Sequence, residues 1–170
     1  NLPANYCDAV FAQAGLHHFR RLDTIAEKVR RALKPGGLFI IDEYIGPNRF
    51  QWREVQVKTI NDLLQAIPDD FRKRWKSKSI KIKVHRPGLL RMILADPSEA
   101  VESERIIPVL ERFFHKEEFI EIGGTLLHPL FSDIAQNFCN QEEESRNIVE
   151  QCIKKEEEML QCGKISSDYV

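Results

Sequence analysis

Two short, unbroken apolar runs constrain this chain more than any other feature: Asp8-Ala9-Val10-Phe11-Ala12 and Leu38-Phe39-Ile40-Ile41. Continuous rather than alternating, they read as strands of a parallel sheet buried on both faces. Between them the chain turns at Gly15, and Asp23 can cap a helix whose apolar residues Ile25, Val29, Ala32 and Leu33 keep helical spacing. Lys34-Pro35-Gly36-Gly37 ends that helix, because Pro cannot continue it and Gly tolerates a left-handed turn. A right-handed crossover then lays the second strand parallel to the first, with Ile25, Val29 and Leu33 on one sheet face. Residues 1–46 are thus expected to form a βαβ unit.

Beyond Gly46-Pro47 the pattern turns helical, with Val55, Ile60, Leu63, Leu64 and Ile67 as the apolar positions. Asp96-Pro97-Ser98-Glu99 has the form of a capping box with Pro at the first helical position. The helical stretch beyond it is interrupted or re-started at Pro108 and ends near Phe114, so residues 47–116 are expected to be a helical insertion. The rest, 117–170, divides into C-terminal strands and an acidic helix. Glu118 to Ile122 alternates as a strand does, and Gly123-Gly124 turns the chain. Asn140 with Glu143 offers a second capping box for a helix reaching Leu160 and closed by Gly163, and Ser167 to Val170 reads as the start of a strand.

Composition removes several function classes. A net charge of −1 over 170 residues gives no global reason to bind nucleic acid or an anionic membrane. The basic run from Arg72 to Arg86 holds Trp75 as its only aromatic, so interleaved stacking surfaces are missing and a solvated face is expected. No apolar stretch approaches the roughly 20 residues that span a bilayer. Cys7, Cys139, Cys152 and Cys162 lack the two-residue spacing of redox or zinc sites, and no histidine stands at ligand spacing beside them. Reduced thiols in a cytoplasmic protein, and no metal site, are the expectation.

The segment Tyr6-Cys7-Asp8-Ala9-Val10-Phe11-Ala12-Gln13-Ala14-Gly15-Leu16-His17-His18-Phe19, with Leu33-Lys34-Pro35-Gly36-Gly37 and the strand to Asp42, resembles class I S-adenosylmethionine-dependent methyltransferases. It matches their fourth strand, the helix after it and the fifth strand. Gly46-Pro47-Asn48-Arg49-Phe50-Gln51-Trp52 and Gly123-Gly124-Thr125-Leu126-Leu127-His128-Pro129-Leu130 are similar to a bacterial-type, small-molecule branch of that family. The resemblance implies an α/β fold, a partial Rossmann-like sheet of strands four to seven with a helical insertion after the second strand present. It covers the C-terminal half of the family's domain. The Gly-x-Gly loop with which that domain begins occurs nowhere in this sequence.

The same resemblance assigns candidate residues. Ala12, Gln13 and Ala14 leave the first strand at its carboxyl end, where ligands of such sheets sit and where small residues let backbone approach S-adenosylmethionine. His17 matches the position nearest the methyl donor, and a neutral imidazole can act as a general base. His18, its neighbour, is expected to pack or cap. Glu43 and Tyr44, after Asp42, leave the second strand where acceptor contacts belong. Arg49 and Trp52 are further candidates for the acceptor pocket; the aromatics Phe50 and Trp52 offer a face to a sulfonium cation or fill the core. His128 is expected in the core.

The implied activity is methyl transfer to a small-molecule acceptor by the intact parent, with this chain supplying half the cofactor cleft. A non-catalytic binding or assembly module is the alternative from another class. An enzyme using a different nucleotide is weakened by the missing phosphate-binding loop. Finally, the strand at residues 8–12 should need a neighbour on its free side, supplied by an N-terminal half or by self-association.

Overall fold

A computed structural model describes residues 3–140 and 142–170 of the chain. It divides into two compact units, each built from more than one stretch of sequence. The first comprises residues 1–51, 87–122 and 168–170; the second comprises 52–86 and 123–167. The stretch 47–116, read from the sequence as one helical insertion, is therefore shared between the units.

In the first unit, strand β1 (Cys7–Gln13) and strand β2 (Leu33–Asp42) pair in parallel, with Ala9 beside Leu38, Phe11 beside Ile40 and Gln13 beside Asp42. Helix α1 (Leu22–Ala32) connects them. It starts at Leu22 with Asp23 already in its first turn and no side-chain cap, so Asp23 does not act as the N-cap. The helix also ends one residue before Leu33, which opens β2 instead.

The register jumps between Cys7, opposite Leu33, and Ala9, opposite Leu38. Lys34 to Gly37 bulge outward there. Gly36 takes a φ of +77°, and a Cβ on Gly37 would lie 3.0 Å from the carbonyl oxygens of Asp8 and Lys34.

Among the described residues, one face of this sheet is covered. Leu22 and Ala26 of α1, with Ile106 and Val109 of α4 (Ile106–Leu110), bury themselves against Ala12, Phe39 and Ile41. The side chains of alternate parity point the other way, and Phe11, Leu38 and Ile40 remain 60%, 51% and 46% exposed. Burial on both faces, the expectation from the continuous apolar runs, is thus not met among the described residues.

After β2 the chain returns to the sheet end. Residues 168–170 run antiparallel to 43–45: the Glu43 and Val170 amides each donate to the other's carbonyl at 2.9 and 3.1 Å, and Ile45 N–H donates to Asp168 at 2.7 Å. Glu118 to Ile122 forms no strand, and Ile120 and Ile122 are exposed. Ile122 N–H donates to Tyr169 at 3.1 Å, but alternation does not make a strand without a continuous ladder of such bonds.

A short helix missed in the sequence, α3 (Leu89–Ala95), precedes Asp96. Asp96 itself opens no helix. Its Oδ1 accepts Ser98 N–H at 2.8 Å and the Ser98 hydroxyl at 2.6 Å, which closes an Asx turn instead of a capping box.

The second unit packs α2 (Glu54–Ala66), α5 (Leu127–Phe131) and α6 (Glu143–Gln161) around Ile60, Leu64, Leu126, Leu130, Ile134 and Cys152. Asn140 does not cap α6, which starts after Glu142. Its other end does close at Gly163, whose φ of +68° lets Gly163 N–H reach Leu160 and Lys164 N–H reach Met159, a Schellman motif.

The basic run is not a uniform solvated face. Lys81 is buried, and its ammonium donates to the carbonyls of Pro129, Leu130 and Ser132 at 2.8, 3.0 and 2.7 Å. His128, by contrast, lies exposed rather than in the core. All four cysteines are free thiols, and no described helix is long and apolar enough to cross a membrane.

Candidate functional site

The carboxyl ends of β1 and β2 meet at a turn held by one buried carboxylate. Ala14 N–H donates to Asp42 across the strand pair at 2.8 Å, and Gln13 Nε2 donates to the Asp42 carboxylate at 2.8 Å. The chain then tightens into a single 3-10 turn, Leu16–His18. Glu43, only 1% exposed, reaches under that turn: Oε1 accepts the amides of Gly15 and Leu16 at 2.5 and 2.6 Å, and Oε2 meets His17 Nδ1 at 2.8 Å. Two orphan amides and one imidazole are thereby satisfied by a single side chain.

The electrostatics follow from that arrangement. The hydrogen bond to Glu43 raises His17 above its ordinary 6.5 against the opposing effect of burial, and the charges of Glu43, Glu99 and Asp96 add to it. Burial pushes Glu43 upward, yet the hydrogen bonds from His17, Leu16 and Gly15 outweigh it and hold the carboxyl below 4.5.

The other wall of the site is the turn at residues 96–100, whose sequence has the form of a helix start. Glu99 faces both histidines, 3.5 Å from His17 Nε2 and 3.9 Å from His18 Nε2. Arg49 holds that turn. Its guanidinium donates to the carbonyls of Pro97 and Glu99 at 2.6 and 2.9 Å, and to Asp96 at 3.3 Å, while its own amide donates to Ala100 at 2.7 Å. Arg49 does this from a left-handed φ of 57°. Val101 N–H donates to His17 at 3.0 Å and closes the loop around the histidine.

Tyr44 is buried behind the site. Its hydroxyl donates to Pro47 at 3.0 Å, and its ring packs on Phe50 and Tyr169 and edge-on to His17. Burial, with the charges of Asp168 and Glu99, pushes Tyr169 up to about 12.

Of the sequence-derived candidates, the structure brings Ala12, Gln13, Ala14, His17, Glu43, Tyr44 and Arg49 to one end of the sheet in the first unit. Trp52 belongs to the second unit, where it packs against the helical core. Glu43 and Arg49 reach the site as scaffold, their polar atoms engaged with protein groups. Glu99 and the second carboxylate contact of His18 were missed. Only the tertiary fold brings residue 99 beside residues 17 and 18, and its local sequence pointed to a different role.

The matching family, described as a methyltransferase domain, aligns with residues 1–41, the stretch that forms β1, α1 and nearly all of β2. The match supports an S-adenosylmethionine-dependent methyltransferase domain there, and the mixed α/β structure with its parallel strand pair is consistent with that fold. Neither curated proteins nor solved structures gave a match to the chain.

Proposed function

We propose that this chain is the C-terminal half of a class I methyltransferase domain that transfers a methyl group from S-adenosylmethionine to a small-molecule acceptor. The observation that carries the reading is a coincidence of place. The residues that match the family take in β1 and reach the last residue but one of β2, and the carboxyl ends of those strands converge on one organised polar site.

The residues present fit one side of such a cofactor. Ala12 and Ala14 carry nothing beyond Cβ, Ala14 turns through a left-handed φ of 46°, and Gln13 and Ala14 are exposed at the strand end. The Gly-x-Gly loop and the acid that binds the ribose in this family have no counterpart in the sequence. When bound, S-adenosylmethionine supplies an electrophilic methyl group on a sulfonium. The chain's own part is alignment, which can supply most of the rate in such a displacement. Glu43 fixes the His17 ring, whose Nε2 faces the Glu99 side of the site, and Arg49 fixes that opposite wall.

Photo-crosslinking tests this. The native gene product, irradiated with radiolabelled S-adenosylmethionine, should carry label in the peptide spanning residues 8–20. Label confined to the second unit, or no label protected by S-adenosylhomocysteine, would remove the reading.

A second reading, an assembly module with a methyltransferase-like half-fold, draws on the exposed Phe11, Leu38 and Ile40. It predicts complex formation with no crosslinking to the cofactor.

A further inference from the structure

The two adjacent histidines are oriented from behind in the same way, and this restricts what can stand in front of them. Glu43 Oε2 is a carboxylate oxygen and can only accept, so His17 Nδ1 carries the proton of their 2.8 Å bond. The Ser98 hydroxyl donates to Asp96 Oδ1 at 2.6 Å, so it accepts from His18 Nδ1 at 3.1 Å. With each ring neutral, the lone pair therefore sits on Nε2, and both Nε2 atoms face the Glu99 carboxylate. In that state two imidazole lone pairs and a carboxylate converge on one point.

We propose that His17, His18 and Glu99 bind one divalent first-row transition ion of the zinc class. Their ligand atoms lie within 4.8 Å of one another. The Nε2-to-carboxylate separations are 3.5 and 3.9 Å. With metal–ligand bonds of about 2.0–2.2 Å, tetrahedral ligands stand roughly 3.3–3.5 Å apart, so small side-chain rotations close the set. Two imidazoles and one carboxylate suit zinc and its first-row neighbours better than magnesium or calcium. Three protein ligands also leave a position for water or for a ligand of the protein.

The supporting shell is already built. Glu43 orients His17 in the carboxylate–histidine arrangement common behind metal ligands, Ser98 orients His18, and Arg49 fixes the backbone that carries Glu99. Glu43, Glu99 and Asp96 place three acids around the pair. The nearby guanidinium groups of Arg49 and Arg20 are directed at carbonyls. The competing arrangement puts a proton on His17 Nε2 as an ion pair with Glu99. The two differ in what they bind, and the inference stands apart from the methyl-transfer reading.

The test uses chelator-treated protein with its thiols alkylated, titrated with Co²⁺ by visible absorption and with Zn²⁺ by calorimetry. The expected result is one equivalent of Co²⁺ giving a visible ligand-field band without thiolate charge transfer, displaced by Zn²⁺. His18→Ala and Glu99→Gln should each weaken Zn²⁺ by roughly tenfold or more, with unchanged far-UV circular dichroism, and His115→Ala should bind as the parent does. Absence of saturable binding would overturn the proposal. Affinity unaffected by His18→Ala and Glu99→Gln would do the same. Neither readout involves methyl transfer, so failure here leaves that reading standing.

Discussion

Two buried glutamates do most to shape the local backbone of this chain. Glu43 collects the amides of Gly15 and Leu16, and Glu156 collects those of Gly124, Leu126 and Leu127 at 2.8, 2.5 and 3.0 Å. Neither role was legible in the sequence. Glu43 stood there as a possible acceptor contact at a strand end, and Glu156 as one acid among many on an acidic helix. A carboxylate that serves backbone amides in its own fold looks no different, as a letter, from one that serves solvent. Replacing either with Gln keeps the shape but weakens charge-assisted bonds to buried amides. A loss of about 1–3 kcal/mol is expected in urea unfolding.

Lys81 is the cationic counterpart. Burial pulls it down to about 8 while three carbonyls accept its three N–H bonds. Because its folded value lies below the usual 10.5, the folded state releases its proton first. Stability through this group therefore rises as pH climbs from about 8 toward 10.5. The stability of the parent relative to Lys81→Met should increase between about pH 8 and pH 10.5, the window those two values set. A difference that shrank over that interval would contradict the burial argument.

At the scale of elements, what was legible was what is local. The parallel pairing of β1 and β2 followed from two apolar runs joined by one helix, and Gly163 as a helix stop followed from its tolerance of positive φ. Boundaries moved where tertiary contacts decide them: Leu33 left the helix for the strand, and Asp96 closed an Asx turn instead of capping a helix. That second misreading hid Glu99, because a capping-box acid is expected to serve its own helix.

The helix stop gives a clean element-level test. Nothing lies within 4 Å of a Cβ placed on Gly163, so Gly163→Ala meets only the cost of its left-handed φ of +68°. A loss of about 1–2 kcal/mol in thermal or urea unfolding is expected. No loss would mean that α6 ends without this turn.

For the molecule as a whole, the sheet is the informative part. Two parallel strands carry one covered face and one face from which Phe11, Leu38 and Ile40 project. Apolar side chains placed together on an open sheet face favour association. Light scattering of the 170-residue chain should show self-association, reduced by Phe11→Ser. A monodisperse monomer with Phe11 in place would contradict this.

In the proposed reading the ends of β1 and β2 form one side of an S-adenosylmethionine site. With no Gly-x-Gly loop in the sequence, binding by these 170 residues alone should be weak, so the measurement must locate contact even at low affinity. Amide chemical shifts of the isotope-labelled chain, followed while S-adenosylhomocysteine is added, meet that need. Progressive shifts are expected, concentrated at Ala12, Gln13, Ala14, Leu16 and His17, with Asp42 and Glu43 following. Shifts concentrated in residues 52–86 and 123–167, or none at millimolar ligand, would contradict it.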